Sequence, residues 1–68
     1  MNTPPDVEAI RARLRAAGWV PTDSWERYVG RRWSHEVVIA RAGQVVRGRG
    51  PTLAEAWADA ERQAIGEG

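Results

Sequence analysis

Val7, Ile10, Leu14 and Ala17 recur at three- and four-residue intervals, which predicts an amphipathic helix with one apolar face near the start of the chain. Thr3 is the expected N-cap, Pro4 the first helical residue, Asp6 the capping-box partner and Gly18 the stop. Arg11, Arg13 and Arg15 fall off the stripe and read as a solvated face, with Glu8 near Arg11. The period then changes from helical to alternating.

Pro21-Thr22-Asp23-Ser24 reads as a loop, and Trp25-Glu26-Arg27-Tyr28-Val29 as a short first strand, with Trp25 and Tyr28 on opposite faces. Gly30-Arg31-Arg32 is the next turn. From Trp33 to Arg41 the odd positions Trp33, His35, Val37 and Ile39 share one face and are the expected core side. Ala42-Gly43 makes a tight hairpin turn into a last strand, Gln44 to Arg47.

Gly48 and Gly50 then let the chain turn into a second helix. Its start is chemically marked: Thr52 can cap the first free N–H groups while Glu55 reaches back to the cap. The helix is expected over about Leu53 to Ile65, with a small-residue stripe of Leu53, Ala56, Trp57, Ala60 and Ala64. The fold class is therefore α+β, in the order α-β-β-β-α. The expected arrangement is a two-layer sandwich, a three-stranded antiparallel sheet with both helices on one face and the other face wet.

Sixty-eight residues suffice for a single domain over residues 1–68, and with no Cys the chain has no disulfide to staple it. Four Trp are expected to supply the missing apolar area, each burying roughly 150–250 Å². The N-terminus lacks a basic and apolar leader pattern and no apolar run approaches a bilayer span, so the chain reads as soluble and cytoplasmic with no membrane partner. Charge is unevenly laid out. Residues 26–50 carry six Arg against Glu26 and Glu36, whereas residues 51–68 carry four acids against Arg62. All ten basic residues besides His35 are Arg, a side chain suited to bidentate phosphate contacts.

With length and element order in place, the chain resembles the double-stranded RNA-binding domain. That family ends in a GxGxSKKEA joint and an alanine-rich helix, and Gly48, Gly50, Thr52, Glu55, Ala56, Ala60, Ala64 and Ile65 stand at matching spacing. His35 and Ile39 keep the family's interval between a loop His and a core position. The resemblance implies RNA binding. The family's lysines at the start of the last helix are missing, however: Leu53, Ala54 and Trp57 stand there, with Glu55 and Asp59 nearby to meet phosphate with negative charge. The strands also read as shorter than the family's.

A weaker likeness is to HicA-type mRNA interferases, on Ala17-Gly18-Trp19 and Ser34-His35, with Trp33 where that family has Gly. It implies His35 as general acid or base on an RNA 2′-hydroxyl. The Gly-x-Thr-x-x-Glu-Ala start of the last helix is similar to HicB-type antitoxins and to small phage proteins, and a well-capped helix alone accounts for it.

The candidate site for an anionic partner is Arg31, Arg32, Trp33, His35, Arg47 and Arg49, with the arginines on phosphate and Trp33 stacking on a base. His35 is the one catalytic candidate, because no Cys nucleophile or second His accompanies it. No cofactor, metal site or small-molecule substrate is evident. Three classes of function stay open. The first is a noncatalytic module that binds RNA or DNA. The second is a protein-interaction or homodimerisation domain using an open, aromatic- and Arg-bearing sheet face, and the third is a ribonuclease using His35.

Overall fold

The structure, a computed structural model, describes residues 6–66. Helix α1 spans Val7–Ala16, strands β1, β2 and β3 span Val20–Val29, Arg32–Arg41 and Gln44–Gly50, and helix α2 spans Leu53–Glu61 before a π-helical turn at Arg62–Gly66. The strands form an antiparallel meander in the order β1-β2-β3. Ile10, Leu14, Trp19, Val37, Ile39, Ala56, Trp57 and Ala60 make one buried cluster, so both helices lie on the same side of the sheet.

The N-cap of α1 is Asp6, whose carboxylate accepts from the Glu8 N–H at 3.0 Å. Asp6 thus occupies the cap itself and not the capping-box position; the cap expected at Thr3 lies outside the described residues. The other end follows expectation. Gly18 has φ +95°, its N–H donates to Arg15 O, and the Trp19 N–H donates to Leu14 O, the paired bonds of a left-handed glycine stop. That stop sends Trp19 back under Leu14 into the core.

Strand β1 begins earlier than the loop-like sequence suggests. Pro21 to Ser24 belong to the strand, which passes a register shift between Pro21 and Asp23. An edge strand tolerates the missing N–H of proline, and the extra residue, Thr22, donates its hydroxyl to Val38 O at 3.3 Å. Strand β1 reaches ten residues, so the expectation of a short first strand is corrected. Both hairpin turns have two central residues at positive φ, Gly30 at 59° with Arg31 at 68° and Ala42 at 49° with Gly43 at 85°. Such turns match the right-handed twist of paired strands.

The odd face of β2 is the core side only in part. Val37 and Ile39 are fully buried, whereas Trp33 is 52% exposed and His35 half-buried. The reason is register: β3 ends at Gly50 opposite His35, so Arg32–Ser34 pair with β1 alone and run past the third strand. Two of the four tryptophans build the core instead of all four. Trp19 and Trp57 are buried, at about 4–6 kcal/mol of apolar transfer each as an upper bound. Arg41 lies 4.8 Å above the Trp19 ring and donates to Ala17 O at 3.0 Å, while Arg11 lies 5.6 Å above Trp57.

Gly48 and Gly50 do not turn the chain; both lie in β3. Their missing side chains admit α2. A Cβ on Gly48 would stand 2.3 Å from Ala56 O and 2.5 Å from Ala60 N, and one on Gly50 2.7 Å from Glu55 Cβ. The cap at Thr52 is as expected, its Oγ1 accepting from the Glu55 N–H at 3.1 Å. Ala56, Trp57 and Ala60 are buried and Ala64 packs against them, but Leu53 and Ile65 are exposed. No helix among the described residues is long and apolar enough to cross a membrane.

Asp59 and Gln63, one turn apart on α2 and its continuation, close the outer edge of β3. Asp59 accepts from the Arg49 backbone N–H at 3.0 Å, and the Gln63 amide donates to Arg47 O at 2.8 Å and to Asp59 at 2.9 Å. Unpaired edge groups are thereby satisfied by side chains. The two helices are tied by Arg13, whose Nη2 donates to Glu61 at 2.9 Å beside a second bond from Nε.

Two outcomes follow. Gly48→Ala forces α2 off the sheet and is expected to destabilise by about 3 kcal/mol, the upper part of the overpacking range, measured by chemical denaturation; a change below about 0.5 kcal/mol would contradict the close approach. The Arg13 hydrogen bonds hold the Glu61 carboxyl below its ordinary value of 4.5, so its contribution is complete above that value and is lost as pH falls through the lowered folded-state value. Wild type should therefore melt above Glu61→Gln at neutral pH, and the gap should close on acidification; parallel melting curves would show the pair to be inert.

Candidate functional site

The structure divides the six expected site residues between two surfaces. Arg31 lies at the tip of the β1–β2 hairpin, and Arg32 is opposite Val29 at its base. Trp33 and His35 face the helix side of the sheet, whereas Arg32, Arg47 and Arg49 belong to the opposite, helix-free side, because residues paired directly across strands share a face. Arg47 and Arg49 are brought together. Trp33 and His35 are not brought to them.

The first surface is a two-stranded ribbon from Arg27 to Ser34 that extends beyond β3. It carries Arg27, Arg31 and Arg32, all exposed. On its helix-side face Tyr28 and Trp33, 57% and 52% exposed, pair across the strands with ring centroids 5.0 Å apart and planes tilted by 50°. The ribbon keeps two large rings in water without helix cover. Tyr28 and Trp25 on opposite faces were expected to leave at least one ring exposed, and both are.

The second surface is the helix-free side of the sheet. A depression of about 240 Å³ is lined by Trp25, Arg27, Ser34, Glu36, Arg47 and Arg49. Trp25, Glu36 and Arg49 form one row across the three strands. Glu36 is the centre of the depression, its side chain only 12% exposed, with Arg47 Nη1 3.8 Å from Oε2 and Arg49 Nε 3.7 Å from Oε1. These are ion-pair distances, beyond hydrogen-bond length. Oε2 is closed to solvent and accepts no hydrogen bond among the described residues.

Sequence reasoning singled out Arg47 and Arg49 but missed Arg27, Ser34 and Glu36 as their neighbours, and it considered Trp25 only as an open-face ring. The alternation Trp25/Arg27, Ser34/Glu36 and Arg47/Arg49 was the available signal. It requires the register of three strands, and the sequence pattern alone ends β3 at Arg47, three residues before the strand's end at Gly50.

His35 Nδ1 stands 3.6 Å from Glu26 Oε1, its partner across the β1–β2 pairing, a contact that becomes an ion pair only when the imidazole is protonated. Ser34 points to the other face. The arrangement supplies one imidazole and one carboxylate. Among the described residues no group of three or more His, Cys, Asp or Glu could hold a metal ion.

The acidic helix meets the basic strands less directly than its charges suggest. Asp59 is committed to the Arg49 N–H and to Arg62, and Glu61 to Arg13, so these carboxylates are partly consumed inside the helix layer. No protein-family model, curated protein or solved structure matches this chain. The site therefore rests on its own geometry.

Arg31 holds a left-handed backbone conformation that costs a non-glycine residue about 1–2 kcal/mol. Arg31→Gly is accordingly expected to raise the melting temperature by about 4–8 °C per kcal/mol recovered, measured by thermal unfolding. An unchanged or lower melting temperature would mean that the turn has a different backbone.

Proposed function

We propose that this protein is a noncatalytic binding module that engages RNA through the β1–β2 ribbon and the adjoining helix-free face of the sheet. The observation that carries this reading is the ribbon itself: three exposed arginines and a pair of exposed rings on strands that project past β3 and the helix layer. Arginines neutralise phosphates and rings stack on unpaired bases; Arg27 and Arg32 share the helix-free face with Trp25, and a strand that turns over the tip at Arg31 also meets Tyr28 and Trp33 on the other face.

A likeness to double-stranded RNA-binding domains agrees with the α-β-β-β-α order, but the chemistry favours a different use of the fold. The start of α2 offers exposed Leu53 and Glu55 where the family resemblance calls for lysines, so that end has little to hold a duplex phosphate. The basic residues cluster on the sheet instead. This favours a single strand lying along the ribbon over a duplex straddled by the helices.

In the double variant Arg31→Ala/Arg32→Ala, affinity for single-stranded RNA should fall about tenfold at low salt, and the slope of log K against log salt should shrink by about one to two. Fluorescence anisotropy at several salt concentrations reads both. Absence of RNA binding by the wild type at low salt would overturn the reading.

A second reading, self-association, is favoured by one observation: among the described residues no strand pairs with the outer edge of β1, and Tyr28, Val29 and Trp33 are exposed beside it. Pro21, the bulge after it and the charges of Asp23, Glu26 and Arg27 all work against edge-to-edge pairing, which ranks this reading second. A mass that doubles with concentration in light scattering would reverse that order.

A further inference from the structure

Glu36 is an odd centre for a surface that meets phosphate. A carboxylate repels the backbone of a nucleic acid, and an ordinary basic platform would be stronger without it. Here it lies in the middle of the helix-free face, between Trp25 on β1 and Arg49 on β3, with one oxygen that accepts no hydrogen bond among the described residues. The flanking guanidinium groups stand 3.7 and 3.8 Å away on side chains that are themselves mostly exposed, so they neutralise the carboxylate without tying it up.

Resting on the RNA-binding reading, we propose that this depression selects a guanine in single-stranded RNA, with Glu36 as the reader of its Watson–Crick edge. Guanine is the one standard base that presents two adjacent N–H donors, N1–H and the 2-amino group, and these match the two oxygens of one carboxylate. Adenine and cytosine each set an amino donor beside a ring-nitrogen acceptor, and uracil sets its single N–H between two carbonyls. Each of those three aims at least one lone pair at a carboxylate, and a buried mismatch of this kind is where discrimination arises.

The neighbours fit the remaining tasks. The Trp25 ring, partly exposed and directly across from Glu36, is positioned to stack on a base whose edge points to the carboxylate. Arg47 and Arg49 are free to exchange the loose ion pairs for charge-assisted bonds to the phosphates on either side. Release of Arg47 from Oε2 opens the atom that the 2-amino group requires. The exchange keeps the carboxylate neutralised before binding and hydrogen-bonded after it.

The test uses nine-residue oligouridylates with one central guanosine, inosine or adenosine, titrated against the full chain by anisotropy, with the all-uridine strand as reference. Inosine retains N1–H and lacks the 2-amino group. The expected order is guanosine about tenfold tighter than adenosine, with inosine between them. Glu36→Gln, checked for folding by circular dichroism, should bind the all-uridine strand at least as tightly as the wild type, because a charge that repels phosphate is gone, and should lose the guanosine preference. Equal affinity of the wild type for the three substituted strands would overturn the guanine assignment while leaving RNA binding intact, as would a folded Glu36→Gln that keeps the preference. Failure of every strand to bind at low salt would remove the RNA-binding reading and this inference with it.

Discussion

Everything in this molecule is arranged around the approach of α2 to β3 at Gly48. A helix with alanines at 56 and 60 can reach a sheet closely only where the sheet offers no side chain, and Gly48 faces that pair. Trp57 and Trp19 are buried in the same cluster as that alanine pair, which suits a core this small. The close approach also brings Asp59 and Gln63 to the outer backbone of β3, so a single contact closes both the core and one sheet edge. The same packing that costs the chain two strand side chains thus removes an open template for pairing.

Seating both helices on one side leaves the other side of the sheet to solvent, and the alternation of strand residues decides what that side displays. It shows Trp25, Arg27, Arg32, Ser34, Glu36, Arg47 and Arg49, with Asp23 and Val45 nearer the far end. Acidic residues on α2 do not cancel this charge, since Asp59 and Glu61 spend their oxygens on Arg49 N–H, Arg62 and Arg13. The basic strands and the acidic helix of the linear sequence become a basic face and an internally neutralised helix layer. That separation is what makes an anionic partner a better match to the sheet than to the helices.

Much of the fold was legible because the punctuation was local. Gly18, Gly43 and Thr52 each act within a turn or so of their own position, and all three behave as their residue types dictate. What escaped the sequence depended on partners distant in the chain. Gly48 and Gly50 spell a turn as well as they spell a close approach, and only the alanines of α2 distinguish the two. Pro21 to Ser24 read as loop because a tolerated proline and a bulged threonine need an edge and a neighbour, Val38 O, to be recognised as strand. Trp33 sat in phase with Val37 and Ile39, but phase does not say where β3 and the helix cover end. For the same reason the site was half legible: Arg47 and Arg49 could be chosen by charge, and Glu36, Trp25 and Arg27 join them only through strand register.

The most direct test of the account is a nuclear Overhauser measurement on the folded chain. The account requires cross-peaks from the Gly48 Hα protons to the methyl of Ala60, together with Trp25 indole signals that show contacts to Glu36 and none to either helix. Missing Gly48-to-Ala60 cross-peaks would contradict the close approach of α2, and Trp25 contacts with α1 or α2 would put the helix layer over the face proposed to bind RNA.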